Sequence, residues 1–375
     1  MIAIGSQRGL FDVPEDVVYM NTANMAPLLR AVRAAGEEAL ARRATPWRIT
    51  PDDWFTDVER LRDGFARVLG ADSDGVALIP ATSYGLAVAA RNLDAKPGEQ
   101  VVVLEDEYPS NHYTWMRFCE RTGASLVVVE PGAIVEHIGD RTRVVAVPNV
   151  HWTNGSLVDL VAVADAARKA GAALVLDLSQ SLGAMPLDLD AIRPDFLVAV
   201  GYKWMLGTLG LGCLYVAEQH RDGEPIEENW INRAGSEDFS ALVDYADAYR
   251  PGARRFDVGQ HSNFGLVPMA VAATEQIADW TVSGIAESLA DVTEEIATRA
   301  RALGLTVSAR EQRGPHMLGI EVPRETAHVI ARRLGEDGVV ASVRGNSVRI
   351  APHLHTTRND VDRLIESLSR TADGG

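Results

Sequence analysis

The chain is short of cysteine, of long apolar runs and of positive charge, and each shortage closes off a class of protein. Cysteine occurs twice in 375 residues, as Cys119 and Cys213, with no CxxC or zinc-ligand spacing. That leaves no disulfide framework and suits a reducing compartment. No apolar run approaches the roughly 20 residues that cross a bilayer. The opening MIAIGSQRGLF lacks the charged-then-apolar order of a secretory leader, so a cytoplasmic protein is expected. Lys and Arg number 36 against 52 Asp and Glu, a net charge of −16. That balance argues against nucleic acid or an anionic membrane as partner. There is no internal repeat and no low-complexity tract. What remains is ordinary for a globular chain, 46% hydrophobic and 23% charged, with length for about two domains.

The middle of the chain alternates short apolar runs with helical patterns. Gly75–Pro80, Gln100–Leu104, Ser125–Val129, Arg143–Val147, Leu174–Asp177, Phe196–Gly201 and Cys213–Val216 read as strands. Ser83–Asn92, a segment around Trp115–Arg121, and Val158–Ala170 read as helices between them. Apolar strands separated by helices predict a largely parallel α/β sheet covered on both faces. After about residue 265 the pattern changes. Pro268–Trp280 and Gly284–Ala302 look like long helices, followed by short strands at 305–308, 316–321, 339–343 and 347–350 and helices at 324–334 and 358–369. This predicts a large domain over 15–265 and a small α+β domain over 266–375, with 1–14 packing nearby. Residues 371–375 are expected to fray.

Lys203 follows the run Phe196–Val200 in a setting too apolar for a surface lysine. Burial lowers a lysine's pKa and exposes a nucleophilic amine. The preceding strand ends in Asp177. A lysine and a carboxylate at the ends of successive buried strands suit a pyridoxal phosphate (PLP) enzyme, which needs a Schiff-base lysine and an acid for the pyridine nitrogen. Thr82 and Ser83 place hydroxyls and amides at a helix N-terminus, a phosphate site in principle and otherwise a simple cap. Tyr108 sits on a loop after a strand, where a ring could lie on a flat cofactor. Gln180 could bond the cofactor's phenolic oxygen. The glycines of Gly207-Thr-Leu-Gly210-Leu-Gly212 lead into a strand, unlike a dinucleotide fingerprint. His353 and His355 alternate on a strand-like segment, but no third ligand lies near them in sequence, so no metal site is expected.

In this order, phosphate turn, aromatic, DxxQ and YK, the residues resemble the class V aminotransferase family of fold-type I PLP enzymes. That group includes kynureninase, isopenicillin N epimerase and cysteine desulfurases. The resemblance implies a mostly parallel seven-stranded sheet in a three-layer large domain, plus the small α+β domain. It implies that Thr82, Ser83, Tyr108, Asp177, Gln180, Tyr202 and Lys203 bind PLP, with Lys203 and Asp177 catalytic. Arg349 would clamp the substrate carboxylate, with Asn24, Trp152 and His261 lining the substrate side. The segment Arg255–Asn263 would reach the partner's site in a homodimer.

The departures narrow the reading. No cysteine follows Cys213, so the persulfide chemistry of cysteine desulfurases is not expected. Val200 stands where many relatives carry serine, Trp152 where desulfurases carry asparagine, and Gln260 where they carry a phosphate-binding threonine. The expected activity is a lyase-type or aminotransferase reaction on an amino acid. The alternatives are an epimerase of the isopenicillin N type and a catalytically silent scaffold of the same fold.

Overall fold

A computed structural model describes residues 4–372. Its strands are β1 (Val18–Tyr19), β2 (Val76–Ile79), β3 (Gln100–Leu104), β4 (Ser125–Val129), β5 (Thr142–Pro148), β6 (Ala173–Asp177), β7 (Phe196–Val200), β8 (Gly212–Val216), β9 (Thr306–Val307), β10 (Leu318–Glu321), β11 (Val339–Val340), β12 (Ser342–Arg344) and β13 (Ser347–Ile350). The main helices are α1 (Arg30–Arg43), α2 (Thr56–Leu69), α3 (Thr82–Asn92), α4 (Pro109–Thr122), α5 (Leu160–Ala170), α6 (Leu189–Ile192), α7 (Val267–Trp280), α8 (Val282–Ala302), α9 (Arg324–Glu336) and α10 (Arg358–Ala372).

Seven strands form one sheet in the order β2-β8-β7-β6-β5-β3-β4. Only β8 runs antiparallel to its neighbours. Strand periodicity of two sorts the side chains onto the two faces. Leu78, Val102, Val145, Leu176 and Leu197 face a core built with α2, α5 and α7. Ile79, Val103, Ala146, Val175 and Val198 face the core on the other side, with α3 and α4. Both faces are dry, so these strands are continuous valine-rich runs. The α/β class, parallel sheet and three layers are as expected. Gly85 lets α3 press onto the sheet, because a Cβ there would sit 2.6 Å from Val198 Cγ1.

A second sheet, β12-β13-β10-β9, is antiparallel and packs against α8, α9 and α10 around Ile320, Leu334, Val348 and Leu364. Two details differ from the sequence expectation. The run 339–343 is not one strand: β11 pairs in parallel with β1, while β12 pairs with β13. Val18 and Met20 are buried in the smaller core, whereas Val267, Ala270 and Val271 of α7 lie in the larger one. On this packing we propose dividing the chain between α7 and α8, not at residue 265, with Val18–Met20 belonging to the smaller unit. The fraying expected at 371–375 falls largely outside the described residues. Among those residues no helix is long and apolar enough to cross a membrane.

Candidate active site

The strands of the large sheet deliver their carboxyl ends to one edge, where open α/β sheets bind ligands. A cavity of about 470 Å³ lies there. Its lining comes from the ends of five strands: Pro80–Ser83 after β2, Glu107 and Tyr108 after β3, Pro148, Val150 and Trp152 at the end of β5, Asp177, Ser179 and Gln180 at the end of β6, and Tyr202 and Lys203 after β7.

Lys203 is buried, and its ammonium lies 5.5 Å from the Tyr108 ring centroid and 5.8 Å from that of Tyr202. Burial pushes its pKa down to about 8; Asp177 opposes that shift, and the like charges of Arg349 and Arg344 add to it. Burial pushes the Asp177 carboxyl up, opposed by a hydrogen bond to Oδ1 from the Ser179 amide, at 2.9 Å, and by Lys203. An acid and a base drawn together in pKa at one cavity are a signature of chemistry rather than of packing alone. Gly201 lets the lysine turn fold back, since a Cβ there would meet Leu211 O at 2.8 Å.

Around this pair, Thr82, Ser83, Tyr108, Trp152, Gln180 and Tyr202 line the cavity. α3 begins at Thr82 with no side-chain cap. Its first two residues, Thr82 and Ser83, line the cavity, with Thr82 Oγ1 3.1 Å from Ser179 Oγ. Gln180 donates from Nε2 to Ala23 O, at 3.1 Å, and accepts from Trp204 Nε1 at 3.1 Å, which leaves one N–H of its amide. Tyr108 meets Trp152 edge-on at 5.7 Å between ring centroids. Trp152 is fixed by donating from Nε1 to Asp106 O at 2.7 Å.

Arg349 is buried on β13. Nη1 donates to Trp152 O at 2.6 Å, while Nε and Nη2 have no partner. Burial, with the like charge of Arg344, pushes its pKa down to about 9. Arg344 holds its guanidinium 5.6 Å from the Trp152 ring centroid. Sequence reasoning missed Arg344, Ser179 and Glu107. Glu107 is buried in the cavity wall, and desolvation followed by the nearby Asp177 charge pushes its carboxyl up to about 8. Its position directly before Tyr108 was the available signal.

Three expected residues are absent from the cavity lining: Arg349, which reaches it through the Trp152 carbonyl, and Asn24 and His261. Asn24 is exposed and absent from the lining. His261 is fully buried elsewhere, with Nε2 3.8 Å from Asp257 Oδ2 and Nδ1 3.3 Å from Ser262 Oγ. Its ring fills a core position and cannot line this chain's substrate side. His353 and His355 are also buried, with rings stacked 6.5 Å apart, and no group of three or more potential ligands could hold a metal among the described residues.

A buried lysine facing a buried carboxylate, an uncapped helix start for a phosphate and an aromatic wall fit PLP without rearrangement of type or charge. Fold and site together define a PLP-dependent enzyme. The family model for aminotransferase class-V matches residues 51–364. The chain belongs to the class V aminotransferase family. It is 28% identical to an uncharacterized aminotransferase of Bacillus subtilis over 96% of both chains. It is also 28% identical to a kynureninase of Deinococcus radiodurans, over 99% of this chain and 93% of that one. Among solved structures, a cysteine desulfurase of Thermococcus onnurineus shares the fold with a TM-score of 0.86 at 19% identity, over the whole of both chains. A cystine C–S lyase in complex with cysteine persulfide shares it with a TM-score of 0.85 at 17% identity, over 95% of this chain and 98% of that one.

Proposed function

We propose that the protein acts at Cα or Cβ of a free amino acid, as a lyase-type enzyme or an aminotransferase. The observation that carries this is Arg349, a buried guanidinium with two unpaired nitrogens that is bonded to the carbonyl of Trp152 in the cavity wall and whose charge lowers the Lys203 pKa. A planar fork of unused donors matches a carboxylate. Bound PLP supplies an electron sink for a bond broken at the substrate's Cα. Lys203 would hold it through its amine, Asp177 would keep the ring nitrogen protonated, and Thr82, Ser83 and the α3 amides would bind its phosphate. Tyr108 would cover the ring, while Gln180 and Tyr202 would contact its polar edges. Arg349 fixes the substrate by its carboxylate, so pocket walls such as Trp152 determine which bond stands ready to break. The Lys203 amine, with a pKa of about 8, can take or return a proton at Cα near neutral pH.

Desulfuration through a persulfide on a protein cysteine is no part of this reading. Cys119 and Cys213 are both buried, burial pushes both thiols up, and neither lines the cavity. The complete set of lysine, carboxylate and phosphate turn favours catalysis over a silent scaffold. We extend the reading to a cytoplasmic homodimer, in which a second subunit would cover Leu209, an exposed apolar side chain of the cavity lining.

Borohydride reduction of the holoprotein should bleach it and fix the cofactor on Lys203, read by peptide mass. An unlabelled Lys203 would overturn the assignment. A screen of amino acids with product analysis then separates the chemistries: keto acid means transamination, pyruvate with ammonia means elimination, and an inverted amino acid means epimerisation.

A further inference from the structure

The β12–β13 hairpin carries more cationic and polar capacity than one carboxylate uses. Its register pairs Ser342 with Arg349, Val343 with Val348 and Arg344 with Ser347. Alternation therefore places Arg344, Arg349, Ser342 and Ser347 on one face. Val348 and Ile350 take the other face and pack into the smaller core. On the polar face, Ser342 Oγ and Ser347 Oγ are buried without partners, as are Arg349 Nε and Nη2. Arg344 makes one hydrogen bond, from Nη1 to Val343 O at 2.7 Å, and no ion pair with any described residue. The two arginines bracket Trp152, Arg349 at its carbonyl and Arg344 over its ring. Both charges are felt at Lys203. In a chain of net charge −16, two neighbouring cations that both touch Trp152 of the cavity wall form no ion pair with an acid among the described residues.

We propose that Arg344 is a second anion-binding group of this site, and that the substrate is an amino acid with an acidic side chain, of the aspartate or glutamate type. This rests on the reading of Arg349 as the α-carboxylate clamp. With that carboxylate on Arg349, a side chain running along the Trp152 face directs its own terminal group to Arg344. A neutral side chain would leave Arg344 as an uncompensated charge beside Arg349. The like-charge cost then acts against neutral substrates and adds to selectivity.

Non-reacting probes give the test. The holoenzyme is titrated by calorimetry with succinate and glutarate, each against its half-amide, and by spectral change on mixing with aspartate against asparagine and glutamate against glutamine. At least one diacid should bind ten-fold or more tightly than its amide, and the same preference should hold in the amino-acid pairs. Arg344→Gln should collapse the acid-to-amide ratio to about one while the borohydride label remains on Lys203. Equal binding of acid and amide by the unaltered enzyme overturns the proposal, as does an Arg344→Gln variant that keeps the ratio. Arg349→Gln separates this from the underlying reading: if that variant binds every amino acid as before, the clamp itself is wrong. If it weakens all alike while the acid-to-amide ratio was never present, only the role of Arg344 fails.

Discussion

Arg62 and Arg349 are both buried arginines, 0% and 1% exposed, and they live in opposite electrostatic situations. Arg62 spends every donor within the chain. Nη1 reaches Val76 O at 2.6 Å and Asp257 Oδ1 at 3.0 Å, Nη2 reaches Asp257 Oδ2 at 2.7 Å and Glu59 Oε1 at 3.4 Å, and Nε reaches Glu59 Oε2 at 3.2 Å. Burial works against its charge, but Asp257 and Glu59 outweigh that and push its pKa up. Arg349 has one bond and two unused nitrogens, and its pKa falls. A closed guanidinium ties elements together; here Asp257 also accepts from the Leu78 amide, at 2.6 Å, at the sheet's edge. An open one beside a cavity-wall residue is an unfilled half of an ion pair. Burial alone does not tell the two apart, whereas a count of unused donors does.

The sharpest way to break the comparison is to open the closed pair. Asp257→Ala should destabilise the fold by about 3–5 kcal/mol, because it removes the fully buried partner of Arg62 and leaves only the part-exposed Glu59. The measurement is the denaturation midpoint, and a paired apolar replacement of Arg62 and Asp257 should recover most of the loss. The matching change at the open site should do the reverse. Arg349→Gln is expected to leave the midpoint level or higher, and to weaken amino-acid binding about 10- to 100-fold, the worth of charge-assisted hydrogen bonds. A fall in stability like that of Asp257→Ala would erase the distinction.

A smaller effect appears in the pH dependence of cofactor capture by the apoprotein. Only the uncharged Lys203 amine attacks, so the rate should rise about tenfold per pH unit and level off above about 8. Because Arg349 helps hold that pKa down, Arg349→Gln should move the plateau to higher pH; an unmoved plateau would mean the two charges do not communicate. Smallest is Thr82→Ala, which removes one hydroxyl from the phosphate turn. PLP retention should weaken a few-fold, as for one hydrogen bond, with no change in which amino acids bind.

Much of this was readable in the sequence where chemistry and burial coincide. The valine-rich strands are dry on both faces, so their apolar runs stood out, and Lys203 and Asp177 drew notice because charge is rare at such ends. α1 and α2 were not read. Their contacts are made with α7 from far along the chain, through close approaches such as Gly64 to Thr274, which no local pattern reveals. The run 339–343 looked like one strand because sequence does not show that its two halves pair with different partners. His261 was placed near substrate by resemblance, but a register position does not say which way a ring points. Glu107 passed unremarked because carboxylates are ordinarily solvated, and only the fold desolvates this one. Arg344 sits at a turn, where an arginine usually means surface.

The short pairing of β1 with β11 joins Val18 to Val339, nearly the whole length of the chain apart. During synthesis the large sheet has all seven strands once Val216 has emerged, while Val18 and Met20 still lack the core that buries them. Contacts of such long separation close late and slowly. Arg349, delivered by the strand next to Arg344 in that late-forming unit, is therefore among the last parts of the site to arrive. On the ribosome, a nascent chain should acquire its lysine pocket well before it can hold an amino acid in it.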